Sequence, residues 1–325
     1  MRYSCDSIPF VSGFTKCRGG STLLKELNKH KVLYLMTLPA MLLLLVFSYF
    51  PMAGIIIAFK DFNLSTGIFR SSWAHPIYEN FQYFFTSSNW VRVTRNTILL
   101  NLLFIAVGTF LNVALAILFN EIRSVWFKRV SQSLTLLPYF ISWIVVGVFA
   151  YNILSYEHGM LSELLVRWGF DKIDWYSRPM AWPFIIAIIF VWKSIGYNSI
   201  IYLATLMGID NTLYESARID GATKFRQIIH ITIPMLRPTI IVLTLLGIGH
   251  IMNSDFGMFY SLVGDNSQIY STVDVIDTFV FRSLKGAGDM GMAAAANFYQ
   301  SVLAFVLVYI SNRLARKYES DAALF

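Results

Sequence analysis

The fold class predicted is an all-α, polytopic membrane protein of about six transmembrane helices, with an N-terminal interfacial helix and a structured cytoplasmic loop. Three observations carry the membrane part. The 325 residues are 56% hydrophobic and only 14% charged, whereas a soluble domain carries about 25% charge. Six apolar runs are long enough to cross hydrocarbon, which takes about 20 helical residues. The Lys and Arg residues divide unequally between the segments joining those runs. An aromatic share of 16% suits the membrane–water boundary as well.

Residues 1–31 read as a cytoplasmic tail. The segment is too polar for a cleavable secretory signal. From Ser21 to Lys31, Leu23, Leu24 and Leu27 face one way while Lys25, Glu26 and Lys29 face the other, which predicts a short amphipathic helix on the membrane surface. The two cysteines, Cys5 and Cys17, fall in this tail with no Cys or His cluster beside them. They make neither a zinc site nor a disulfide framework.

The membrane body, residues 32–312, contains the predicted spans 32–58, 96–119, 131–154, 180–206, 238–260 and 290–312. The fourth is interrupted only by Lys193, and the fifth carries His250 and Asp255. Residues 313–325 form a second basic tail. With the N-terminus inside, cytoplasmic segments hold 16 Lys and Arg and the opposite segments 9. This bias places both termini on the cytoplasmic side. It also accounts for the net charge of +7 through membrane lipid rather than nucleic acid.

None of the connecting segments exceeds about forty residues, too short for a nucleotide-binding or solute-binding domain. A G-x-x-x-x-G-K-[ST] phosphate loop is absent from the sequence, and Gly19-Gly20-Ser21-Thr22 is no substitute. ATP-driven work therefore requires another chain.

The cytoplasmic loop 207–237 holds the most informative stretch, YESARIDGATKFRQIIHITIPMLRP from Tyr214 to Pro238. Thr212 and Glu215 match a T-x-x-E capping box, which predicts a helix start. Gly221 sits where a helix must turn, because glycine adopts left-handed dihedrals without penalty. Ala222 onward resumes helix, with Phe225, Ile228 and Ile229 on one side. Pro234 is expected to stop it, and Pro238 to open the fifth span. The outcome is a helix–turn–helix elbow with small residues at its bend. On physics alone it is either a knob that fits a partner's groove or an ordinary capped connection.

Glu215-Ser216-Ala217, Asp220-Gly221-Ala222 and Ile231-Thr232-Ile233-Pro234 resemble the E-A-A-x-x-x-G … I-x-L-P pattern of permease subunits in binding-protein-dependent ATP-binding-cassette importers. Ser216 replaces the second Ala and Ile233 replaces Leu. The stretches Trp192–Tyr197, Asp255–Tyr260 and Asp274–Thr278 extend the resemblance over residues 30–318, toward permeases for complex carbohydrates, including acidic ones such as alginate. The resemblance implies that the elbow is a coupling helix. Glu215, Ser216, Ala217, Asp220, Gly221, Ala222 and Pro234 would form the ATPase-coupling segment, with Glu215 pairing to a basic residue there. It further implies two ATPase subunits holding ATP and Mg, a second and non-identical permease, and an extracytoplasmic solute-binding protein.

Polar residues at membrane depth are candidates for the translocation path. A charge at mid-helix costs about 2.5–3.5 kcal/mol on the insertion scale. Lys193 is therefore either a path residue or a structural lysine with a partner. His250 and Asn253 are i, i+3 and Asp255 follows; a path role and a subunit-interface role both fit. Asn198 is a further candidate, and Trp192 and Tyr197 offer aromatic faces to sugar rings or simply pack. Neither H-E-x-x-H nor G-x-S-x-G occurs in the sequence, so neither catalysis, a metal nor a cofactor is expected in this chain. The alternative function is an ion-coupled secondary transporter, which predicts internal repeats, discontinuous helices and more intramembrane acids.

Overall fold

The structure is a computed structural model that describes residues 31–87 and 89–318. The expected interfacial helix before Lys31, both cysteines and the tail beyond Tyr318 lie outside the described residues. The chain divides into two compact units, Met1–Gly54 and Ile55–Phe325. What is described of the first belongs to an apolar helix, α1 (Lys31–Phe59). Its side chains are exposed from Val32 to Phe50, as lipid-facing residues are. Pro39 lies inside it, and a π-helical turn, Leu45–Tyr49, precedes Pro51. Such a turn re-pairs backbone groups that a proline leaves free.

The second unit is built on α3 (Trp90–Glu121), reached after a short helix α2 (Glu79–Thr86). At 32 residues α3 is much longer than the expected 96–119 and runs past the three buried clusters of this unit. The others follow as α4 (Val125–Leu136), α5 (Trp143–Leu154), α6 (Met160–Arg167), α7 (Trp182–Met207), α8 (Asn211–Ile219), α9 (Lys224–Gly249), α10 (Phe256–Val263), α11 (Ile276–Ala287) and α12 (Met290–Tyr318). Among the described residues five helices are long and apolar enough to cross a membrane, or six if a bent pair is one span.

That pair corrects the expected span 131–154. Its two halves, Val125–Phe140 and Trp143–Leu154, meet at 96°. Pro138 supplies no N–H, and Ser142 is extended, its hydroxyl accepting from the Val145 amide. The opened carbonyls are met by a lysine, described below.

The expected span 238–260 is also corrected. α9 begins at Lys224, runs through Pro234 and Pro238, and ends at Gly249. Pro234 does not stop the helix because a π turn, Ile228–Thr232, lies immediately before it. The Ile233 amide donates to the Ile228 carbonyl five residues back. The loop 207–237 thus shrinks to the stretch between Met207 and Lys224. Beyond Gly249 the chain leaves the helix until Phe256, yet Ile251 and Met252 are buried. Side chains of two helices satisfy groups of that irregular backbone, and a third helix holds one of its side chains. Gln300 Nε2 donates to the Met252 carbonyl, Asp277 accepts from the Ser254 amide at 2.9 Å, and Asn101 reaches the Ser254 hydroxyl at 3.1 Å. Irregular backbone is tolerated at membrane depth when it is buried in protein.

Helix association in lipid draws on close packing rather than on hydrophobic transfer. Gly196 on α7 illustrates this: an added Cβ would overlap the Thr135 carbonyl of α4. Gly147 on α5 stands in the same relation to Ser261 on α10. Around these approaches Phe104 and Phe190 stack at 4.7 Å beside buried Trp182, Ile186 and Phe259.

Candidate functional site

Two assemblies have the chemistry expected of a functional site, an elbow at one end of α3 and a polar cavity along its side. The elbow starts at Asp210, whose carboxylate accepts from the Thr212 amide at 2.9 Å and caps α8. That hydrogen bond holds the Asp210 carboxyl below the usual carboxylate range. The cap thus lies two residues before the expected Thr212, because an extended Asp210 reaches the first free amides better than a threonine already inside the helix.

α8 ends in a Schellman turn. Gly221 has φ +75°, its amide donates to Arg218, and the Ala222 amide donates to Ala217 at 2.8 Å. Nothing lies within 4 Å of where a Gly221 Cβ would stand, so backbone conformation, rather than crowding within the chain, requires glycine here. Thr223 then caps α9, its hydroxyl accepting from the Arg226 amide.

Two contacts brace this bend. Lys224 Nζ lies 2.7 Å from Glu121 Oε2 at the end of α3, and Tyr214 Oη lies 3.0 Å from Thr232 Oγ1 on α9. Glu215, Ser216, Asp220 and Gly221 are exposed, and Ala217 and Ala222 half-buried. Ile219 is 87% exposed and Phe225 71%. The elbow therefore presents a carboxylate, a glycine bend and two apolar side chains together. Pro234 lies inside α9, outside this knob.

The cavity, about 330 Å³, runs between α3, α7, α9 and the broken segment after Gly249. Asn198, His250, Asn253 and Asp255 line it, as do Asn101, Thr109 and Asn112 of α3. The last three escaped sequence reasoning, although Asn101, Gly108 and Asn112 recur at helical spacing on one face of a run otherwise poor in polar groups. Asn112 is buried and its Oδ1 has no hydrogen-bond partner. Amides, an imidazole and one carboxylate around an apolar floor of Phe104 and Phe190 suit a ligand rich in hydroxyl groups. His250 and Asn253 come together in the break between helices, not on one helical face. Asp255 caps α10 through the Met258 amide and accepts from Trp143 Nε1 at 2.6 Å.

Trp192, Lys193 and Tyr197 do not line the cavity. Trp192 is exposed, and Tyr197 stacks on Tyr139 at 4.2 Å and 6°. Lys193 is buried, its Nζ 2.7 Å from the Tyr139 carbonyl and 3.4 Å from that of Pro138, and 5.1 Å from the Trp143 ring centroid. It anchors the break between α4 and α5. Among the described residues no group of His, Cys, Asp and Glu is arranged to hold a metal.

A family model described as "Binding-protein-dependent transport system inner membrane component" matches residues 105–319. The chain is 34% identical over 305 residues to the polygalacturonan/rhamnogalacturonan transport system permease protein YteP of Bacillus subtilis (strain 168), covering 92% of each. It is 33% identical to Protein LplB of the same organism, covering 93% of this chain and 94% of that protein. Among solved structures it is similar to a chain of a bacterial ABC transporter involved in the import of the acidic polysaccharide alginate. There the TM-score is 0.82 and the identity 32%, covering 91% of this chain and 99% of that one.

Proposed function

Because the chain belongs to the family of inner membrane components of binding-protein-dependent transport systems, we propose that it is the permease subunit with which an ATP-binding-cassette importer takes up a carbohydrate. The observation that carries the mechanism is the elbow. A capped helix, a Schellman bend at Gly221 and a bracing ion pair at Lys224 make a knob continuous with α9 and in contact with the end of α3. Force applied there reaches Asn101, Thr109 and Asn112 on α3 and Gly247 on α9, all at the cavity.

In this reading the knob enters a cleft of a separate ATPase subunit, where Glu215 meets a basic residue and Ile219 and Phe225 fill apolar ground. ATP and Mg are bound there, two ATPase copies act together, and this chain holds no cofactor. Closure of the ATPases tilts α9 against α7 and opens the cavity to alternate sides. A second, non-identical permease completes the path, and a solute-binding protein delivers cargo on the side opposite the elbow. Both termini lie in the cytoplasm of a bacterial inner membrane. The relatives named for acidic polysaccharides support an oligosaccharide bearing carboxylates as cargo.

The complex reconstituted in liposomes tests this. Glu215→Lys and Gly221→Pro are expected to leave insertion intact while abolishing solute-stimulated ATP hydrolysis. Unchanged stimulation in Glu215→Lys, or uptake by the lone chain driven by an ion gradient, would overturn the reading.

A further inference from the structure

We propose that Arg92 and Arg282 form a receiving site for a carboxylate group of the cargo, at the end of α3 remote from the elbow. The inference rests on the carbohydrate reading above and specifies the charge that the sugar carries. Arg92 lies in the first turn of α3, 29 residues and about 44 Å of helix from Glu121.

The site holds more positive charge than its own residues neutralise. Asp274, whose side chain is fully buried, takes Arg282 at 2.6 Å and Arg92 at only 3.4 Å. The Thr278 hydroxyl occupies further capacity of the same carboxylate. Two guanidinium groups thus share one carboxylate. Arg282 is fixed, lying 4.1 Å from the Tyr270 ring centroid as well. Arg92 is held less firmly: its side chain is 34% exposed and its contact to Asp274 is the longer one, while its Nε is buried without a hydrogen-bond partner. Arg95 adds a third positive charge nearby, donating to the Ser271 carbonyl.

Beside the two arginines lies a cavity of about 360 Å³, which Asn89 and Tyr270 also line. The space suits one sugar ring. A guanidinium fork presents paired N–H donors that match the two oxygens of a carboxylate, which a neutral hydroxymethyl group cannot reproduce. Asp274 lines the cavity too, and its pairing with Arg282 masks its charge. A uronate arriving here would meet the exposed part of the Arg92 guanidinium.

The test compares trigalacturonate with its carboxyl-reduced counterpart, which differs only in carrying hydroxymethyl groups. Binding to the full chain, assembled in its complex in nanodiscs without the solute-binding protein, is read by calorimetry. Trigalacturonate should bind about tenfold tighter than the reduced sugar, the worth of a charge-assisted hydrogen bond. Arg92→Gln should erase that preference while leaving Arg282 on Asp274, and Arg92→Lys should keep part of it. Equal affinity for the two sugars in the wild type, or a preference that survives Arg92→Gln, overturns the proposal without touching the carbohydrate reading. If Arg92→Gln instead weakens only capture of the loaded solute-binding protein, the carboxylate belongs to that protein and the proposal is likewise overturned. Failure of both sugars to bind while the same complex hydrolyses ATP in response to a neutral oligosaccharide would also defeat it.

Discussion

Lys193 Nζ stands 2.7 Å from the carbonyl oxygen of Tyr139, a residue 54 positions earlier in the chain. The contact turns a costly intramembrane charge into the anchor of the broken span. Lys193→Met should destabilise the folded chain by about 1–3 kcal/mol, because it strands main-chain carbonyls that a charged donor had satisfied. Thermal unfolding of the purified variant would register this as a clear drop, and a variant as stable as wild type would return Lys193 to the list of path residues.

Gly196 faces the Thr135 carbonyl where α7 meets α4, and no Cβ fits there. Gly196→Ala must push the two helices apart at a cost of about 1–3 kcal/mol. Detergent stability should fall by that amount. Gly221→Ala, on an open surface, should disturb coupling more than folding, so the two glycine variants separate cleanly when both properties are measured.

Asp277 is half-buried, and the loss of solvation there pushes its carboxyl above the ordinary value of 3.8 despite the hydrogen bonds from Ser254 and Gln300. A raised carboxyl binds its proton more tightly in the folded state. Its stabilising contribution is therefore complete below 3.8 and lost as pH rises through the raised value. Relative to Asp277→Asn, wild type should lose melting temperature as pH rises above 3.8. Parallel melting curves across that range would contradict this.

The Lys224–Glu121 pair is half-exposed, so it contributes only about 0.2–1 kcal/mol to stability. Its expected role is bracing. Lys224→Glu alone should weaken solute-stimulated ATP hydrolysis with little change in melting temperature. Combining it with Glu121→Lys should restore the response. A double variant as impaired as either single one would argue that the pair does not brace the elbow.

Much of the fold could be read from hydropathy, because charge-free runs of span length have few other uses. The elbow bend was legible for a similar reason: only glycine sits easily at the φ of Gly221. What escaped were places where side chains replace backbone partners. Pro138 and Pro234 look alike in sequence. One accompanies a 96° bend and the other lies in a continuous helix, the difference being Ser142 with Lys193 in one case and a π turn in the other. The cavity was half legible. Asn198, His250, Asn253 and Asp255 stand out as polar residues at depth, whereas Asn101 and Asn112 are neutral amides within a long charge-free run that already reads as a complete span. Lys193 drew attention by its charge, yet its partners are main-chain carbonyls that no pattern of residue types reveals.

The α8 elbow is expected to dock into a nucleotide-hydrolysing partner. A photo-crosslinking residue at Ala217, installed in the intact complex in native membranes, tests it most directly. The expected product is a single adduct with the ATPase subunit, formed from the cytoplasmic side and changed in yield when ATP is bound. Adducts only with lipid or the other permease, or labelling of that position from outside the cell, would contradict it.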